Sequence, residues 1–118
     1  MGQRILICGD RNWTNKELIR QVLASIPNIE AVIEGECRGA DILGKQVAEE
    51  MGIFVVKFPA DWLQYGKSAG PIRNQQMLDE GQPTKVIAFH NNINESKGTK
   101  DMIKRAKKRG IAVLLVSE

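Results

Sequence analysis

Short apolar runs alternate with amphipathic ones along almost the whole chain. Residues 3–8 form a mostly apolar run that stops at Gly9, as a strand covered on both faces would. After Gly9-Asp10-Arg11-Asn12, Thr14 and Glu17 have the spacing of a capping box, and Trp13 and Leu18 that of a hydrophobic staple. A helix is therefore predicted to open there. Leu18, Ile19, Val22, Leu23 and Ile26 recur on one helical face before Pro27-Asn28 stops the run. A second strand over residues 31–34 leads through a turn, residues 35–41, into a helix with Leu43, Val47, Ala48 and Met51 on one side and Gly52 at its end. Residues 53–56 read as the third strand. Residues 58–70 show no clear period and read as a long loop, a length that often carries function. Gly70-Pro71 predicts a helix start with proline in the first helical position, and Gly81 marks its end. A strand over 85–89, a polar loop over 90–97, a helix opening at Ser96-Lys97-Gly98-Thr99 with Met102, Ile103 and Ala106 inward, and a strand over 111–116 complete the pattern.

Strands that alternate with helices in this way need crossover connections, which make a parallel sheet with both faces covered. The predicted fold is α/β: a single Rossmann-like three-layer domain over residues 1–118, with a five-stranded parallel sheet and helices on both faces. Ligands of such sheets bind beyond the carboxyl ends of the strands, near the point where strand order switches. Gly9-Asp10-Arg11, the 35–41 turn, the 58–74 stretch and the 90–99 loop all fall on that edge.

The candidate chemistry follows from that placement. A glycine turn between strand and helix brings backbone close to a ligand and aims free N–H groups at an anion, so Gly35, Glu36, Arg38, Gly39 and Ala40 form a candidate phosphate cradle. Its G-x-x-x-G spacing is neither the dinucleotide fingerprint nor the P-loop, and a purely structural turn is the competing reading. Gly9, Asp10 and Arg11 follow the first strand, where a guanidinium could hold a phosphate through two hydrogen bonds. Lys67 could neutralise the same group. Arg73 and Asn74 are read in the first turn of a helix poor in apolar residues, and Gly98 and Thr99 at the start of the last helix offer N–H donors and a hydroxyl. Asp41 either complements its helix dipole or serves as a ribose-hydroxyl acceptor or catalytic carboxylate. Trp62 and Tyr65 could stack on a base or anchor their loop. His90, the single histidine, reads as structural or solvent-facing, and Cys8 and Cys37 as small buried hydrophobes.

Composition narrows the class. With 118 residues, 42% of them hydrophobic, one domain can build its core without metals or disulfides. The two cysteines read as reduced thiols, and no Cys/His cluster has zinc spacing, so no metal and no cofactor are expected. Neither an apolar run of about 20 residues nor a signal peptide is present, which points to a soluble cytoplasmic protein without a membrane partner. Much of the net charge of +3 sits at Lys104, Arg105, Lys107, Lys108 and Arg109, where cations complement the end of a helix. Nucleic-acid binding is the secondary reading of that run. Thin cover on one face of so small a sheet suggests a homo-oligomer.

Ile7-Cys8-Gly9-Asp10-Arg11-Asn12-Trp13, Gly35 to Asp41, Pro59-Ala60-Asp61-Trp62, Gly66-Lys67-Ser68-Ala69-Gly70-Pro71-Ile72-Arg73-Asn74-Gln75-Gln76-Met77 and Gly98-Thr99 together resemble the YspA-like family of the SLOG superfamily. The resemblance spans nearly the whole chain. It implies a Rossmann-like fold that binds a nucleotide or nucleotide derivative, such as an ADP-ribose-like molecule or a nucleoside phosphate, as a sensor or regulator. It also implies two alternatives: N-glycoside hydrolysis, as in the LOG phosphoribohydrolases, and single-stranded DNA binding, as in the Smf/DprA group. For the hydrolase, Asp41 and Arg73 are the candidate catalytic residues, Arg73 matching the arginine of the substrate-binding helix, with Glu36 and Asp101 as further carboxylates. Two positions depart from the pattern: Glu36 replaces the second glycine of the turn, and Met102 stands where LOG enzymes carry a catalytic glutamate.

Overall fold

A computed structural model describes residues 2–118; Met1, the first residue of the expected domain, lies outside the described residues. Strands β1 (Gln3–Gly9), β2 (Ile29–Glu34), β3 (Phe54–Lys57), β4 (Lys85–Phe89) and β5 (Ala112–Val116) form one sheet in the order β3-β2-β1-β4-β5. Every neighbouring pair is parallel. The helices between them are α1 (Lys16–Ala24), α2 (Ala40–Glu50), α3 (Trp62–Tyr65), α4 (Ala69–Gly81) and α5 (Gly98–Lys108).

Alternate strand residues feed two cores, as the two-residue period of a strand requires. Ile5, Ile7, Val32, Ile87 and Phe89 pack with Ile19 and Leu23 of α1 and Val47 and Ala48 of α2. Leu6, Cys8, Ile33, Val86 and Ala88 face the other way, onto Met77 and Leu78 of α4 and Met102 and Ala106 of α5. These are the three layers expected. Ile5, Leu6 and Ile7 are fully buried, and each such side chain stabilises the fold by about 1.5–3 kcal/mol before the entropy of ordering is counted. After β3 the chain recrosses β1 to add β4 on its far side, so the switch in strand order falls between β1 and β4. Among the described residues no helix is long and apolar enough to cross a membrane.

Four local expectations change. The cap of α1 is Asn15, not Thr14: its side chain accepts the N–H of Leu18 at 3.0 Å, which displaces the Thr14–Glu17 box by one residue. Residues 58–70 are not a loop throughout. Asp61 Oδ1 accepts the N–H of Gln64 at 3.1 Å and caps α3, and one 3₁₀ turn, Gly66–Ser68, leads straight into α4. Helix α4 thus starts at Ala69, and Pro71 is its third residue, still among the positions whose N–H has no intrahelical acceptor. Arg73 and Asn74 consequently lie in the second turn rather than the first. Gly81 is the last helical residue, as expected, and an added Cβ there would lie 3.2 Å from Ile33, but it is Gln82 beyond it that takes the left-handed conformation.

Candidate functional site

A cleft of about 750 Å³ opens at the carboxyl edge of the sheet, where β1 and β4 part. Cys8 and Gly9 end β1 against it, and His90 follows β4 into it. Of the residues singled out from the sequence, Gly9, Asp10, Arg11, Asp41 and Lys67 line it, as do Arg73, Asn74, Gly98 and Thr99. Gly35, Glu36, Arg38, Gly39 and Ala40 lie outside the lining.

The 35–41 turn explains that division. Its N–H groups at Gly35 and Cys37 donate to Asp41 Oδ2, at 3.2 and 3.3 Å. The chain's own carboxylate therefore occupies the anion position that the glycine turn offers. Burial pushes the Asp41 carboxyl up to about 6, against the opposing pull of Arg73 and of the two N–H donors. Gly39, at φ +84, lies so close to the β1–α1 connection that an added Cβ would come within 2.3 Å of the Asp10 oxygen. Ala40 N–H donates to that same oxygen at 3.1 Å. Gly39 and Ala40 thus seat α2 on the segment that presents Asp10 and Arg11. Glu36 turns away to Lys45, whose Nζ donates to both carboxylate oxygens at 3.0 and 2.8 Å, and Arg38 donates to Asn12 at 3.4 Å.

Helix α4 ties the two halves of the cleft together. Arg73, only 9% exposed, donates from Nη1 to Gly35 O at 2.6 Å and from Nε to Asn74 Oδ1 at 3.2 Å. Asn74 Nδ2 donates onward to Gly98 O at 3.2 Å and Asp101 Oδ2 at 3.0 Å. A Cβ at Gly35 would stand 2.6 Å from Arg73 Nη1 and 3.0 Å from Asp41 Oδ2, so a side chain there would push both groups aside. A guanidinium has five donors. Nε and Nη1 are engaged, whereas Nη2 meets no protein acceptor among the described residues, and Arg73 is part of the cleft lining. Just ahead of α5, Ser96 Oγ accepts the Thr99 N–H at 3.0 Å, and Lys97, Gly98 and Thr99 line the cleft, so the positive end of an 11-residue helix also faces it.

Several cleft residues were not singled out as site residues. His90 is buried, with Nδ1 accepting the Asn92 N–H at 2.9 Å, which assigns the ring proton to Nε2. Its place directly after β4 was the signal that could have found it. Asp101, which the sequence did offer as a further hydrolase carboxylate, is held by Asn74 and by Arg105 Nε at 2.8 Å and borders the same cleft beside Met102. Cys37 lies 3.7 Å from Arg73 Nη1. Glu34, under the turn, is fully buried; Oε1 accepts the Glu36 N–H at 2.8 Å while Oε2 has no partner. Burial pushes this carboxyl up to about 8, and neighbouring Glu36 and Asp41 add to the rise. A glutamate at the end of a strand gives no hint of such burial. In the basic run that closes α5, Arg105 pairs with Asp101, and Arg109, just past the helix, pairs with Asp79.

Residues 3–65 match the YspA, cpYpsA-related SLOG family (YAcAr). Gene 61 protein of Mycobacterium phage D29 is 31% identical over 121 residues, covering 95% of this chain and 94% of that one. Among solved structures, DNA processing protein A (DprA) from Streptococcus pneumoniae shares the fold with a TM-score of 0.77 at 16% identity, over 97% of this chain. The chain spans 50% of that DprA chain.

Proposed function

Because the chain belongs to the YspA, cpYpsA-related SLOG family, we propose that it binds a nucleotide or nucleotide derivative at the carboxyl edge of its sheet and acts as a sensor or regulator. The observation that carries this reading is the guanidinium of Arg73, fixed by Gly35 and Asn74 with Nη2 left over, in a cleft that Arg11, Lys67 and the start of α5 also line. Those cations and the helix dipole suit a phosphate; the volume suits a nucleotide-sized molecule. The phosphate end of the ligand lies toward Gly98 and Thr99 rather than in the 35–41 turn, whose donors Asp41 already holds. Isothermal titration with AMP, ADP-ribose, NAD and cyclic nucleotides tests the proposal. Heat of binding with one of them supports it, and no heat with any, in protein shown to be folded, removes it.

N-glycoside hydrolysis is the second reading, and the pair Asp41 and Asp101 on one cleft favours it. A carboxyl pushed up to about 6 is suited to trading a proton near neutrality, and Asp101 supplies a second carboxyl group on the same cleft. Chromatography of nucleoside monophosphates after long incubation decides: free base supports hydrolysis, and its absence restricts the protein to binding. Single-stranded DNA binding has less support, because Arg105 of α5 and Arg109 just beyond it are paired within the chain. Exposed Phe54 on β3 and Leu114 and Leu115 on β5, on the two edge strands, favour pairing between copies, which light scattering tests.

A further inference from the structure

The two tryptophans of the chain stand in opposite situations. Trp13 is 3% exposed and packs on Phe89 with ring centroids 5.6 Å apart, which accounts for it as core. Trp62 is 53% exposed, yet it borders the cleft together with Lys67, Gly70 and Pro71. It opens α3, a single helical turn held through the Asp61 cap, and its ring lies against Gly70, where an added Cβ would be 3.5 Å from Cη2. A half-exposed indole leaves much apolar surface in water, and core packing does not account for it. Tyr65 and Leu63 of the same turn are also exposed but do not line the cleft. The cleft thus presents a flat apolar surface at Trp62 and cations at Arg11, Lys67 and Arg73.

A ligand that satisfies both has an aromatic plane at one end and an anion at the other. Resting on the nucleotide reading above, we infer that Trp62 is the platform on which the nucleobase stacks, and that α3 is the element that supplies base affinity. Stacking on an aromatic face tolerates any base but grows with the area covered, so purine nucleotides bind before pyrimidine nucleotides. The base is held by its face at Trp62, and the sugar phosphate by the Arg73 and α5 side of the cleft.

The test compares AMP with D-ribose 5-phosphate, which lacks the base, in the wild-type protein and in Trp62→Ala and Trp62→Phe. AMP is expected to quench the fluorescence of Trp62, with buried Trp13 as the unquenched background. Trp62→Ala should weaken AMP by about 10-fold, equivalent to about 1.4 kcal/mol, and leave D-ribose 5-phosphate within about 2-fold of wild type; Trp62→Phe should restore most of the AMP affinity. Circular dichroism and melting establish that each variant is folded. Equal AMP affinity in wild type and Trp62→Ala overturns the stacking inference and leaves the phosphate reading standing. Equal loss of both ligands in Trp62→Ala also overturns it, since Trp62 then only shapes the cleft. If the wild-type protein binds neither small ligand but binds oligo(dT), both this inference and the small-nucleotide reading fall.

Discussion

Arg73 Nη1 donates to the carbonyl oxygen of Gly35, 38 residues earlier, across 2.6 Å, and this bond brings α4 to the β2–α2 turn. It is a charge-assisted bond in a buried place, so both partners depend on it. Replacing Arg73 by Ala leaves the Gly35 oxygen without its partner. The expected loss is about 2 kcal/mol, which for a domain of this size is a fall in Tm of roughly 8 °C. Arg73→Lys keeps the charge but has no Nη2, so it should melt between the two and lose AMP binding along with Arg73→Ala. Calorimetry and titration check the pair; a variant that melts with the wild type would show that the bond contributes nothing.

Gly39 and Gly52 separate backbone strain from crowding. Both have positive φ, +84 and +71, but an added Cβ meets Asp10 O at 2.3 Å in the first case and nothing within 4 Å in the second. Gly52→Ala should cost only the strain, about 1 kcal/mol. Gly39→Ala adds a collision with backbone and should cost about 3 kcal/mol or more. Urea denaturation of the two variants gives the comparison, and equal costs would mean that the α2 start yields easily.

Glu34 makes stability fall as pH rises. Its carboxyl is pushed from 4.5 up to about 8 in the folded protein, so between those values the folded state binds a proton that the unfolded state has released. The stabilisation is complete below about 4.5 and is lost as pH climbs through 8. Lys45 and the Glu36 and Asp41 carboxylates are the charged groups that act on it. Glu34→Gln mimics the protonated form and should melt with the wild type at pH 5 but be more stable at pH 9, by on the order of 2 kcal/mol. Melting curves across that range decide, and parallel curves would show that Glu34 ionises without cost.

The two cysteines should differ in reactivity. Cys8 is buried in the β1 core, and burial pushes its thiol far up, so the reactive thiolate is suppressed. Cys37 is partly exposed on the cleft beside Arg73. Iodoacetamide should modify Cys37 first, and bound AMP should slow that modification by about 5-fold or more, which is the protection expected when most sites are occupied. Peptide mass spectrometry reads both positions. Modification of Cys8 ahead of Cys37 would mean that β1 opens more readily than its packing indicates.

Much of the fold was legible along the chain because it depends on local periods. Ile5-Leu6-Ile7, the face of α1 and the glycines after α2 and α5 signal their elements without reference to distant residues. The convergence of Arg73, Asn74, Gly98 and Thr99 on one edge followed from the strand–helix alternation alone. Misplaced were the α1 cap, where adjacent Thr14 and Asn15 compete for one role, and the start of α4, which lies two residues ahead of Pro71.

The sequence by itself determined a parallel α/β domain, the rim where its loops meet and the polar residues on that rim. Tertiary structure alone decided that Asp41 fills the turn at Gly35 and Cys37, that Glu34 is sealed beneath it, and that Trp62 stands open at the cleft. The reason is range: helical and strand periods act over a few neighbours, whereas a bond such as that from Arg73 to Gly35 exists only after strand order has brought remote segments together.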